Sequence, residues 1–190
     1  MQSPRAQFDL ANQLRSERGA KLGDLFAFVS GLYFRGKLTY ARRFAVAPVA
    51  ASPGIHIITP TAGLQAPDRA VTLSEMRAFA ESDVHPGNVR YRQPLELSAR
   101  TLAARIGEEC DVVLLGSVAS PKYVEILLEI FGGRLRFPID FVGRGDMSRG
   151  GLLLRRADEG RELDYAPVAG AVVHGPRPPR LPPHKRAARS

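Results

Sequence analysis

One cysteine, Cys110, is the chain's whole complement, so neither an internal disulfide framework nor a cysteine metal site can form. Histidine is sparse too: His56, His85, His174 and His184 stand without ligand spacing and read as structural or surface residues. No apolar run approaches the roughly 20 residues that a membrane span needs. The longest, around Leu25 to Phe34, is broken by Ser30 and Gly31. The opening stretch "MQSPRAQFDLANQLRSERGAK" has no apolar segment of signal-peptide length. A cytoplasmic protein with no membrane partner is the expectation. Internal repeats are absent as well.

Lysine is scarce in a chain that is nonetheless strongly basic. Lys and Arg number 27 against 19 Asp and Glu, for a formal charge of +8, and nearly all the cations are arginine. From His174 onward, "HGPRPPRLPPHKRAARS" carries Arg177, Arg180, Lys185, Arg186 and Arg189 with no acid, which is 5 of that +8. Cations that neutralise phosphates release counterions, so this basic tail offers itself to a nucleic acid. A compositional bias toward arginine on a solvated surface accounts for the same charge.

At 190 residues the chain has enough material for one substantial core. The reading is an N-terminal helical extension over residues 1–23, a single α/β domain over 24–173, and a proline-rich tail over 174–190, too dense in proline for helix or central strand. Short apolar runs without alternation, ending in glycine or small polar residues, read as strands buried on both faces of a parallel sheet. Four occur: "DLFAFVSG", "GIHIITPTAG", "CDVVLLGSVAS" and "LRFPIDFVGRGD". The first reads equally as one turn-interrupted helix continuing into Tyr40.

Helical patterns lie between these runs. "SPKYVEILLEIFGG" places Ser120 as N-cap and Pro121 at the first helical position, with Val124, Leu127, Leu128 and Phe131 on one face and Gly132 as the stop. "YFRGKLTYARRFA" is a basic helix weakened by Gly36. "TLSEMRAFAE" has capping-box spacing from Thr72 to Glu75, and "QPLELSARTLAARIGEE" stops near Gly107. A further helix follows the "GRGD" stretch, and "ELDYAPVAG" supplies a last strand. The alternation predicts a Rossmann-like, doubly wound α/β fold: a mostly parallel sheet with helices on both faces, in three layers.

In such a sheet ligands bind beyond the carboxyl ends of the strands, which gathers Ser30, Thr59, Thr61, Ser117, Ser120, Arg144, Asp146 and Ser148 on one rim. Cations sit unfavourably in the first turn of a helix. Arg35 and Lys37 nevertheless follow Ser30-Gly31, Lys122 follows Ser120-Pro121, and Arg149 follows Asp146 to Ser148. Basic residues beside glycines that expose N–H groups suit an anion. The site expected is therefore Arg35, Lys37, Lys122, Arg144 and Arg149 for charge, with Thr59, Ser117, Asp146 and Ser148 orienting a small anion such as a nucleotide or nucleoside derivative. The alternative is a non-enzymatic nucleic-acid or protein interaction module working through the basic ends. The plain reading of each cation is a solvated side chain, with Asp146 capping its own helix.

Familiar motifs do not fit. "GRGDMSRGG" lacks the glycine spacing of a dinucleotide fingerprint and the lysine-serine end of a phosphate loop. Its Arg144-Gly145-Asp146 would serve adhesion only outside the cell. Ser117 is not in a nucleophile elbow, and reads as a ligand-binding or capping hydroxyl rather than a nucleophile. Asp68, in "GLQAPDRAVTL", either pairs with a rim arginine or starts a turn after Pro67. Asp140 and Asp146, in the fourth run, "LRFPIDFVGRGD", do not support an acid/base or metal assignment. No catalytic residue and no cofactor is named by any motif.

The series "LYFRGKLTYARRFA", "IITPTAGLQAPD", "VVLLGSVASPKYVEILLEIF" and "FVGRGDMSRGGLLLR" resembles an uncharacterised bacterial α/β domain family. In that family a Ser-Gly strand end precedes a Tyr-Phe-rich basic helix, a Gly-Leu-x-x-Pro-Asp loop follows the second strand, and a glycine-rich turn follows the last. The resemblance covers roughly Leu25 to Arg155 and implies the α/β fold and the rim as the site. This chain departs from it by lacking a cysteine and lysine cluster after Ser30-Gly31.

Overall fold

The computed structural model describes residues 6–48, 53–172 and 175–181. Helices α1 (Asp9–Arg15), α2 (Leu22–Val29) and α3 (Gly31–Phe44) open the chain, with β1 (Ala20–Lys21) between the first two. Next come β2 (Ile57–Thr59), β3 (Gly63–Gln65), β4 (Ala70–Val71), α4 (Leu73–Glu81) and α5 (Val89–Ile106). The rest is β5 (Val112–Val113), α6 (Pro121–Phe131), β6 (Leu135–Pro138), α7 (Asp146–Glu159) and β7 (Tyr165–Pro167), with short 3₁₀ turns at Gly132–Arg134 and Ile139–Phe141.

The doubly wound, Rossmann-like sheet expected from the apolar runs is not formed, and neither is the three-layer α/β architecture that the family resemblance implies. Three small sheets stand in its place: β1 with β4, β2 with β3, and β5-β6-β7. Only β5 and β6 run parallel, Val112 opposite Leu135, joined by the α6 crossover; the other pairs are antiparallel. Proline explains part of the brevity. Pro138 has no N–H to extend the ladder, and the chain turns into the 3₁₀ segment at Ile139 instead of continuing to Val142 as a strand.

The first expected strand, "DLFAFVSG", lies mostly in α2. Leu22 and Leu25, one helical turn apart, are buried, while Phe28 and Val29 stay more than half exposed. That one-sided burial belongs to a helix, not to a strand covered on both faces. Gly31, at a φ of +65°, turns α2 into α3, so the turn-interrupted helix is the conformation adopted. The second expected strand is half of the β2–β3 hairpin.

Two apolar clusters hold the molecule. The larger unites Tyr40 of α3, Tyr91 and Leu95 of α5, Leu127 and Phe131 of α6, and Leu153 of α7. The smaller joins Leu14, Ala20, Leu22 and Leu25 to Val71 and Met76, so residues assigned to an N-terminal extension supply part of a core. Residues 175–181 have no regular structure; Gly175 lies against Val142, and Leu181 packs on the larger cluster. The tail beyond 181 lies outside the described residues. Among the described residues no helix is long and apolar enough to cross a membrane.

Candidate functional site

Helices α3 and α7 cross at glycine. A Cβ on Gly36 would stand 2.6 Å from the Gly150 carbonyl oxygen, and one on Gly150 would stand 2.8 Å from the Tyr33 Cα. This close approach sets Tyr33 and Lys37 of α3 beside Asp146 and Arg149 of α7. The Lys37 Nζ lies 3.9 Å from the centre of the Tyr33 ring. Among the described residues it makes no ion pair within 4 Å. Burial lowers its pKa to about 8; Asp146 acts against that shift and Arg149 with it.

Lys37 lines a cavity of about 550 Å³ inside the larger cluster, walled by α3, residues 55–60, α5, the segment from Cys110 to Gly116, and α6. Exposed Val46 is also on its wall, so the space reaches the surface. A volume of this size accommodates a small organic ligand.

The tyrosines are the residues that the sequence reading missed. All five of the chain's tyrosines belong to this region: Tyr40, Tyr91, Tyr123 and Tyr165 line the cavity, and Tyr33 lies under Lys37. Tyr91 is fully buried, and its hydroxyl has no hydrogen-bond partner among the described residues. Burial pushes its pKa up to about 12, with Tyr123 adding to the shift. Tyr123 Oη accepts the Ser117 N–H at 2.8 Å and donates to the Ser117 carbonyl at 3.1 Å. Tyr40 Oη accepts the Leu163 N–H at 2.8 Å and lies 2.6 Å from Tyr165 Oη, which donates to Glu162 Oε1 at 2.8 Å. His56, also on the wall, has its pKa lowered by burial and by Arg105. Their signal was composition: a tyrosine offers an apolar body with a polar tip, as cavity walls require.

The expected rim is only partly assembled. Lys37, Asp146 and Arg149 come together at the α3–α7 crossing, and buried Thr59 shares the cavity wall with Lys37. Arg35 and Lys122 are exposed. Arg144 donates from Nε to the Asp140 carbonyl at 2.9 Å and from Nη1 to Ser148 Oγ at 3.3 Å. Arg149 donates from Nε and Nη2 to the Phe141 carbonyl at 3.2 and 3.1 Å, with its guanidinium carbon 5.5 Å from the Phe141 ring centre. These arginines fasten the loop that leads into α7. Ser117 serves Tyr123 through its backbone. Thr59 Oγ1 donates to the Gly63 carbonyl at 2.8 Å and accepts the Ala62 N–H at 3.1 Å, closing the hairpin.

Asp146 is not the cap of α7. Gly145 occupies that position and Asp146 is the first helical residue, 3.5 Å from Arg149 Nη1. Asp68 pairs with Lys21 at 3.2 Å and Arg42 at 3.7 Å, away from the loop arginines. Three or more His, Cys, Asp or Glu side chains suited to a metal do not converge among the described residues. No family model, curated protein or solved structure matches this chain.

Proposed function

We propose that the protein binds a small molecule with a largely apolar body and one acidic group, the body filling the cavity of the larger core and the acid pairing with Lys37. The observation that carries this reading is a half-buried lysine on a mainly apolar wall with no carboxylate within 4 Å among the described residues, Asp146 acting on it only from farther off. A buried cation is costly unless paired, and an anionic ligand supplies the pair. Tyr91 lines the same wall, and its orphaned hydroxyl would gain a partner from a polar group of the ligand that displaced the side chains closing over it. One accessible cation suits a monoanion, and the nucleotide expected on a glycine-rich rim loses its support once the loop arginines are committed to backbone carbonyls. A cytoplasmic setting is part of this proposal.

Thermal melting of the full chain with phenylacetate, hexanoate and their neutral amides tests the proposal. A ligand at one hundred times its Kd adds about 2.7 kcal/mol of stability. The acids should stabilise more than the amides, and Lys37→Met should abolish that preference. Tyr91→Phe should weaken binding while stabilising the free protein by about 1 kcal/mol, because it removes an unsatisfied buried hydroxyl. Equal responses to acid and amide overturn the reading. Salt-sensitive oligonucleotide binding with no small-molecule response favours the alternative, an interaction module acting through the basic ends.

A further inference from the structure

We infer that Lys37 is a nucleophilic amine that condenses with an aldehyde or ketone held in the cavity, forming an imine. The inference rests on the reading of the cavity as a small-molecule site and specifies the chemistry of its ligand.

The choice of residue is the first argument. Only four of the 27 basic residues are lysines: Lys21, Lys37, Lys122 and Lys185. Pairing with an acid does not by itself single out lysine, because arginine, which fills 23 of the 27 basic positions, offers a carboxylate a fork of donors. A primary amine can do what a guanidinium cannot, which is to lose its proton and attack carbon.

Position is the second argument. Lys37 is on the cavity wall with its Nζ over the Tyr33 ring. Asp146 and Arg149 of α7 act on it from the crossing helix, and no carboxylate within 4 Å among the described residues fixes the charged form. Its lowered pKa leaves an appreciable share of free amine near neutral pH. The third argument is Tyr91, which lines the same wall and carries a buried hydroxyl with no partner; it would donate to the carbonyl oxygen once the wall opens around a bound molecule.

The step balances without an oxidant or reductant. The nitrogen lone pair forms a C–N bond to the carbonyl carbon, and the carbonyl π pair moves to oxygen. A proton passes from nitrogen to oxygen, giving a carbinolamine. The nitrogen lone pair then forms the C=N bond as the C–O bond breaks, and the remaining N–H proton goes to the departing hydroxyl, which leaves as water.

The test uses the full chain with benzaldehyde or hexanal as probe and cyanoborohydride to trap the imine, followed by peptide mapping of the four lysines. Lys37 should be modified about tenfold or more faster than Lys21, Lys122 or Lys185 at neutral pH, given its larger share of free amine. Its rate should be half-maximal near pH 8, and phenylacetate should protect it. Lys37→Arg should keep the far-ultraviolet circular dichroism and the cooperative melt of the wild type, which shows that it folds, while selective labelling disappears. Labelling of Lys37 at the rate of Lys122, with phenylacetate still stabilising the protein, overturns the imine and leaves acid binding standing. Selective labelling that phenylacetate neither slows nor accompanies with a melting shift overturns acid binding and leaves the amine chemistry standing.

Discussion

Gly36, Gly150 and Gly151 look alike in the sequence, yet they do different work. The first two are the contact between α3 and α7, where a Cβ would meet backbone at 2.6 and 2.8 Å. Backbone cannot swing aside as a flexible side chain can, so Gly36→Ala and Gly150→Ala should each destabilise by about 1–3 kcal/mol. Gly151, also in α7, has nothing within 4 Å of its Cβ position. There an alanine only restricts the unfolded chain, and Gly151→Ala should stabilise by about 0.5–1 kcal/mol. Urea unfolding of the three variants measures the difference, and equal effects at Gly150 and Gly151 would contradict the glycine-mediated crossing. The sequence made "GRGDMSRGG" conspicuous but could not assign its glycines. Their role depends on a helix more than 100 positions earlier, and no local pattern encodes that partner.

Helices were legible where their signals are local. The Pro121–Phe131 helix appears with the bounds read from Pro121 and Gly132, and the Thr72–Glu75 capping box is formed, Thr72 taking the Glu75 N–H and Glu75 the Thr72 N–H. Even so, the two N-caps are unequal. Thr72→Ala should cost about 1 kcal/mol, since it removes a capping bond. Ser120 makes no capping hydrogen bond from its side chain, and Ser120→Ala should cost less than half as much. Chemical denaturation of both variants checks this; equal losses would place the same bond at both caps. Strands were legible only in part, for the matching reason: β2, β5, β6 and β7 fall inside runs read as strands, while their lengths and most of their pairings were not readable. A short apolar run fits a buried strand and a helix segment alike, and neither pairing direction nor ladder length is written in it. "DLFAFVSG" and "GIHIITPTAG" became most of a helix and half of an antiparallel hairpin because distant partners decided. The cavity inherits that limitation: Lys37 and Thr59 were legible as polar candidates, whereas Tyr91 and Tyr123 gain meaning only when α5 and α6 close around the same space.

At the scale of the whole molecule, the buried and the hydrogen-bonded titratable groups set the dependence of stability on pH. Glu75 has its pKa lowered, first by the Thr72 N–H bond and also by Arg69, so its contribution is present above its ordinary value of 4.5 and is lost as pH falls through the folded value. His56, lowered by burial, must lose its proton to fold without penalty and disfavours the folded state in acid. Lys37 extends the same trend upward. Below about 8 it is protonated in both states, and its burial cost is present in full. Between about 8 and its ordinary 10.5 the unfolded chain alone holds the proton, so unfolding takes one up and stability rises with pH. The slope from one group is at most about 1.4 kcal/mol per pH unit. Tyr33, Tyr40, Tyr91, Tyr123 and Tyr165 act oppositely, because burial raises each above the ordinary 10.0 and the unfolded chain gives up those protons first. Unfolding free energy should therefore climb from pH 8 toward pH 10 and fall beyond it. Lys37→Met should be more stable than the wild type at neutral pH, since no ammonium is buried, and should lose the climb while keeping the fall. Urea titrations of both proteins across this range measure it; a climb of equal slope in Lys37→Met would show that Lys37 is solvated in the folded state and is not a buried amine.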